Sequence, residues 1–132
     1  MELQEILDTT FYKLVEQGRP AQRPPGICTY YHEETGDRCS IGLLVDQEVA
    51  RGWVEDGAED FNDLLSGGYE GVPGWFYDFQ KSRLLLEIQD VHDHFSGSSE
   101  KAEGKTFSQY LEECYERLAE RFELIPPKLK ES

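Results

Sequence analysis

The chain is short of positive charge. Thirteen Lys and Arg stand against 27 Asp and Glu, giving a net charge of −14 over 132 residues. A sequence-independent grip on DNA or RNA needs cations to neutralise phosphates, so direct nucleic-acid binding is disfavoured. Docking on an anionic membrane is disfavoured for the same reason. Long apolar runs are also missing, and none approaches the roughly 20 residues of a membrane span. The opening residues, MELQEILDTTFYKL, are acidic and amphipathic, whereas a secretory leader begins basic and then turns apolar. A cytosolic protein is expected. Cysteine is scarce and odd in number: Cys28, Cys39 and Cys114. A secreted disulfide scaffold would use an even and denser set, so these read as thiols in a reducing compartment. No internal repeat is visible.

The apolar content is ordinary, with 38% hydrophobic and 12% aromatic residues. That is enough for one modest core, so the acidity does not imply disorder. We expect a single globular domain over 1–125 and a flexible tail over 126–132. Leu3, Ile6, Leu7, Phe11, Leu14 and Val15 recur at helical spacing, and Gly18 and Pro20 end that helix. Pro24-Pro25 favours an extended connector. Ile27 to Val45 predicts a β-hairpin: Thr29 to Tyr31 as one strand, Glu34 to Asp37 as the turn, Cys39 to Val45 as the return strand. Gly42 weakens that return strand or admits another backbone, and a short helix from Ser40 to Val45 is the alternative.

Asp46 caps a short helix through Trp53, and Ala58 to Leu65 forms another. Pro73 opens a long helix to about Phe95, with a stripe of Phe76, Phe79, Leu84, Leu85, Ile88, His92 and Phe95. Residues 96–105 are a polar loop. Thr106 and Gln109 form a capping-box pattern for a last helix that carries Phe107, Tyr110, Leu111, Cys114, Leu118 and Phe122. The fold class expected is α+β, mainly α, with helices around a small β-hairpin.

Several constellations could carry chemistry. Cys28, His32 and Cys39, with His92 or His94, are residue types that zinc favours, but the spacing matches no established finger and no Cys-x-x-Cys pair exists. Cys28 or Cys39 with His92 and Asp93 supplies nucleophile, base and carboxylate types. A thiolate needs a nearby cation, however, and Arg38 is the one local candidate. Glu87, Asp90 and Asp93 sit three apart on the long helix, where a solvated acidic face is the cheaper reading. Residues 54–63, with Glu112, Glu113, Glu116 and Glu120, could imitate a phosphate array. Finally, Arg38, Tyr30, Gln89, His92 and Trp75 would suit a small aromatic ligand bearing phosphate, since Arg forks onto phosphate and aromatic rings stack on a base.

The segment CTYYHEETGDRCSIGLLV, residues 28–45, carries Cys28, Tyr30, Gly36, Arg38, Cys39, Ser40, Ile41, Gly42 and Leu43-Leu44 in a recognisable order. Further on come Ile88-Gln89 and His92-Asp93, and then Phe122 to Leu124. In these positions the chain resembles a family of short proteins from tailed phages, prophages and their bacterial hosts. Members often have Arg where this chain has Tyr31, which weakens any anion-binding role there.

The resemblance implies a phage accessory protein in the bacterial cytosol, a setting in which many proteins blunt host defence. The resulting expectation is a non-catalytic homo-oligomer that sequesters a small nucleotide-like signal. Its ligand-binding residues would be Arg38, Tyr30, Gln89, His92 and Trp75, with no metal or cofactor. The alternatives are an acidic inhibitor that mimics DNA or binds a basic host protein, and a metal-dependent enzyme.

Overall fold

The computed structural model describes residues 1–23, 27–93, 95 and 104–129, without the side chains of Gln22, Arg23, Ile27 and Cys28. The expectations for Pro24-Pro25, for His94 and for most of the 96–105 loop lie outside the described residues.

The first helix, α1, spans Leu3–Gln17 and buries Ile6, Leu7, Thr10, Phe11 and Leu14. Its apolar positions recur every three or four residues, so they share one face. Gly18 ends it in the left-handed region, at φ 79°, and donates its N–H to the Leu14 carbonyl. Two further helices carry Trp53 and Phe61 into the core: α2 at Gln47–Glu55 and α3 at Phe61–Ser66. The long helix α4, Phe79–Asp93, buries Leu84, Leu85, Ile88 and His92. The last helix, α5, spans Phe107–Arg121 and opens with the reciprocal Thr106–Gln109 capping box.

Helices α1, α4 and α5 pack against one another. Polar pins cross these interfaces: the Tyr110 hydroxyl on α5 donates to the Val91 carbonyl on α4 at 2.7 Å, and a second joins α5 to α1. The Tyr115 hydroxyl donates to Thr10 Oγ1 at 2.9 Å, and Thr10 Oγ1 donates to the Ile6 carbonyl at 2.9 Å. The apolar face of α5 carries Tyr115 fully buried, whereas Cys114, expected in the core, is half-buried.

The mainly helical expectation stands, but the β-hairpin at its centre does not. Strand pairing among the described residues is limited to two rungs, Gln22 with Cys28 and Arg23 with Ile27. The expected return strand instead curls into a 3-10 turn at Gly42–Leu44, with the Leu43 N–H on the Cys39 carbonyl at 3.0 Å. Residues 39–43 are buried in succession. A strand with one solvated face exposes alternate residues, so this run fits a tight turn lodged against α1 and α2. Gly42 is required there, because a Cβ would collide with the Tyr30 carbonyl oxygen.

The expected single helix after Pro73 is broken. A 3-10 turn, Gly74–Tyr77, comes first, and Asp78 is extended at ψ 132° before α4 begins. That break leaves Phe79 at 74% exposure, outside the buried stripe.

The segment expected as a tail is described to Leu129. Ile125 exchanges two hydrogen bonds with Gln4, both at 2.8 Å, and the Leu129 N–H donates to Glu112 at 2.5 Å. No helix among the described residues is long and apolar enough to cross a membrane.

Candidate functional site

A cleft of about 430 Å³ opens between the 29–39 loop, the start of α3 and one face of α4. Thr29, Tyr30 and Cys39 form one wall, Glu59, Asp60 and Phe61 the second, and Leu86, Gln89, Asp90 and Asp93 the third. The loop reverses at Gly36, which sits at φ 77° and donates its N–H to the His32 carbonyl at 2.7 Å. The reversal returns Cys39 and Ser40 to α4, where Ser40 Oγ donates to Gln89 Oε1 at 2.9 Å. Asp60 caps α3 by accepting the Asp63 N–H at 2.7 Å, which fixes its carboxylate at the cleft.

Tyr30 and Gln89, two of the five expected ligand residues, line the cleft. The other three do not. The Arg38 guanidinium turns away and donates to the carbonyls of Val45 at 2.8 Å and Gly42 at 3.2 Å. It fastens the 3-10 turn. Trp75 is half-buried, edge-on to Phe76 with ring centres 4.7 Å apart. His92 is fully buried behind the cleft. Its Nε2 accepts the Ala21 N–H at 3.0 Å, so Nδ1 carries the proton and donates to Asp93 Oδ1 at 3.0 Å. The Gln89 amide donates to the same carboxylate oxygen at 2.8 Å. His92 therefore joins the 18–22 segment to α4 and orients Asp93 without touching the cleft.

Several sequence-level constellations lose their chemistry here. Cys39 is 1% exposed, and burial pushes its thiol up to about 12. A protonated, enclosed thiol is neither a nucleophile nor a ready metal ligand. Both ring nitrogens of His92 are already engaged. Among the described residues, no group of three His, Cys, Asp or Glu could hold a metal ion. The acidic face of α5 is partly tied down: Glu113 pairs with Lys105, Glu116 with Lys128, and Glu112 holds the Leu129 N–H. Asp60 and Asp63 likewise fasten α3 and its approach.

The side chains that the sequence reading left out of the site are Thr29, Glu59, Asp60, Phe61 and Leu86. Only the acidic run at 54–63 hinted at two of them.

Tyr30 is 5% exposed and stands edge-on to Trp53, with ring centres 5.5 Å apart. Its hydroxyl is pushed well above the ordinary tyrosine range, first by burial and then by Cys39, Asp60, Asp93 and Asp63. Burial also raises Tyr115. These shifts have one sign. The folded chain holds protons that the unfolded chain releases at ordinary values, 9.0 for cysteine and 10.0 for tyrosine. Their contribution to stability is complete below pH 9.0 and is lost as pH rises towards about 12 and beyond. Urea unfolding across that range should show a falling midpoint, and a flat profile would contradict the enclosed thiol and phenols. Comparison with family models, with curated proteins and with solved structures found no match.

Proposed function

We propose that this chain is a non-catalytic binding protein of the phage accessory type, working in the host cytosol by occupying a host factor. The surface it uses is the acidic cleft, and the group it holds is a basic group on a protein partner. One observation carries this reading. Glu59, Asp60, Asp90 and Asp93 line the cleft, and no Lys or Arg is among its described lining residues. Such a recess concentrates cations and repels anions. The net charge of −14 extends the same field outward and would speed encounter with a basic partner.

Sequestration of a nucleotide-like signal is the second reading. It is favoured by Tyr30 and Gln89 lining the cleft together, where a base could lie. Its phosphates, however, would meet four carboxylates with Arg38 turned away.

Calorimetric titration separates the two. A short basic peptide should bind, weaken as salt rises, and lose about tenfold in affinity when Glu59→Gln, Asp60→Asn and Asp90→Asn are combined. A panel of mono-, di- and cyclic nucleotides should give no heat. Peptide affinity indifferent to the triple variant would defeat the cationic reading. A nucleotide that binds and is released intact on heating would establish the second.

A further inference from the structure

We infer that α4 is a docking surface for a second copy of this chain, the two helices pairing antiparallel about a two-fold axis at Leu86 so that Phe79 and Arg83 of each copy close over the cleft of the other. This goes beyond the cationic reading above and does not depend on which host factor the chain meets.

The outward stripe of α4 is Phe79, Arg83, Leu86, Asp90 and Asp93, all exposed. Alternating steps of four and three residues keep the five within roughly 80° of arc on a helix of 3.6 residues per turn. The stripe is aromatic and cationic at its start, apolar at its centre and acidic at its end. Phe79 is 74% exposed and Leu86 42%, and Tyr77, just ahead of the helix, adds a ring at 56%. One exposed apolar side chain is ordinary, but three along one face mark an interaction surface.

Arg83 is the polar half of that surface. Its guanidinium carbon lies 5.9 Å from the Phe79 ring centre and 6.0 Å from that of Phe122, so two rings hold it on the outer face. Glu87, one turn further on, pairs with Arg121 instead. Among the described residues Arg83 has no carboxylate partner, in a chain where acids outnumber bases by 27 to 13. A cation left over there is complementary to the chain's own acidic surface.

Helix geometry then chooses the occupant. With the axis at Leu86, Phe79 falls opposite Asp93 of the second copy, and Arg83 falls opposite Gln89. Gln89, Asp90 and Asp93 form one wall of the cleft. The incoming ring thus meets the apolar walls of Tyr30 and Phe61, and the guanidinium meets the acidic rim. Asp90 and Asp93 already interact within their own chain, and the exposed Glu59 and Asp60 on the facing wall share the charge. The contact uses the same patch on both copies and closes as a dimer. Parallel pairing would set Arg83 against Arg83 and acid against acid. A foreign basic helix would match the acidic half and leave Phe79 and Arg83 uncovered.

The net charge of −14 on each copy opposes association at long range, but that repulsion is screened beyond about 8 Å at physiological salt. A helix face about 22 Å long offers less than the roughly 800 Å² per partner of a stable complex, so the dimer is weak and concentration-dependent.

Sedimentation velocity of the full chain at about 0.15 M salt should pass from monomer to dimer between roughly 5 and 500 μM. Phe79→Ala should weaken the dimer at least about tenfold and leave the urea midpoint unchanged, because the ring is exposed in the monomer. Arg83→Glu should weaken it about tenfold by setting like charges together, and it decides the matter should Phe79→Ala fail to fold. A photoreactive benzophenone side chain in place of Phe79 should crosslink the second copy at residues 59–61 or 89–93.

A monomer at every concentration overturns the inference and leaves the stripe to a different occupant. A dimer indifferent to both variants uses another face and overturns it too. Crosslinks confined to residues 77–83 of the second copy overturn the antiparallel arrangement. Self-association is read without any peptide, so a failed peptide titration removes the cationic reading and leaves this one standing.

Discussion

Trp53→Ala should lower the unfolding free energy by about 3–5 kcal/mol, the range for truncating a buried large aromatic. Trp53 is 1% exposed and sits at the junction of three parts of the chain. Its ring meets Tyr30 at 5.5 Å and Phe76 at 6.4 Å, both edge-on. Its Nε1–H donates to the Glu70 carbonyl at 2.7 Å. Alanine would therefore leave a cavity and an unpaired carbonyl, and would take away the support behind the Tyr30 ring. Trp53→Phe keeps most of the packing and loses the hydrogen bond, so its cost should be smaller. Urea unfolding checks both, with a lowered midpoint and an unchanged m-value as the expected pattern. A midpoint for Trp53→Ala equal to that of the parent chain would contradict this account of the core.

His92→Ala should cost about 3 kcal/mol, combining a small cavity with an orphaned backbone donor. The imidazole accepts from Ala21 and donates to Asp93 from a fully buried position. Alanine leaves the Ala21 N–H buried and unpaired, and it frees one constraint on Asp93. Amide hydrogen exchange at Ala21 should accelerate more than the global loss of stability explains, because the local partner is gone. An unchanged Ala21 exchange rate would show that the bond contributes nothing. The variant also separates two roles for this histidine. A ligand-contacting residue would change affinity with little effect on stability, whereas a pinning residue changes stability first.

Much of the helical architecture is legible in the sequence. Leu3 to Leu14 and Phe107 to Leu118 repeat at the spacing that builds an apolar stripe, and Gly18 and the Thr106–Gln109 pair mark their ends. These signals are local: a helix closes its own hydrogen bonds within four residues, so periodicity and caps suffice. The 28–45 segment is ambiguous for the opposite reason. Thr29, Tyr30 and Tyr31 suit a strand, but a strand needs a partner, and Cys39 to Leu43 are instead buried in a turn packed on α1 and α2. Alternation of Cys39, Ile41 and Leu43 looks the same in a strand and in a buried turn, and only neighbouring helices distinguish them. The break at Asp78 was similarly hidden, since Pro73 opens either a helix or a 3-10 turn.

The candidate site was half visible. Tyr30 and Gln89 have the chemistry of ligand-binding residues, and both line the cleft. Arg38 and His92 have it too but are directed elsewhere, because a buried chain must first satisfy its own polar groups. Val45 and Gly42 offered carbonyls to Arg38, and Ala21 offered an N–H to His92. Glu59, Asp60, Asp90 and Asp93, which read in the sequence as parts of solvated acidic runs, give the cleft its sign.

The order and number of residues by themselves determined the excess of carboxylates, the shortage of cations and the helical stripes, since those depend on residue counts and on spacing along one element. Which carboxylates converge, which polar side chains are consumed as fasteners and which face outward was decided only when three distant segments packed together. Hydrogen-bond partners in a core are assigned by proximity in space, and sequence spacing does not encode that proximity.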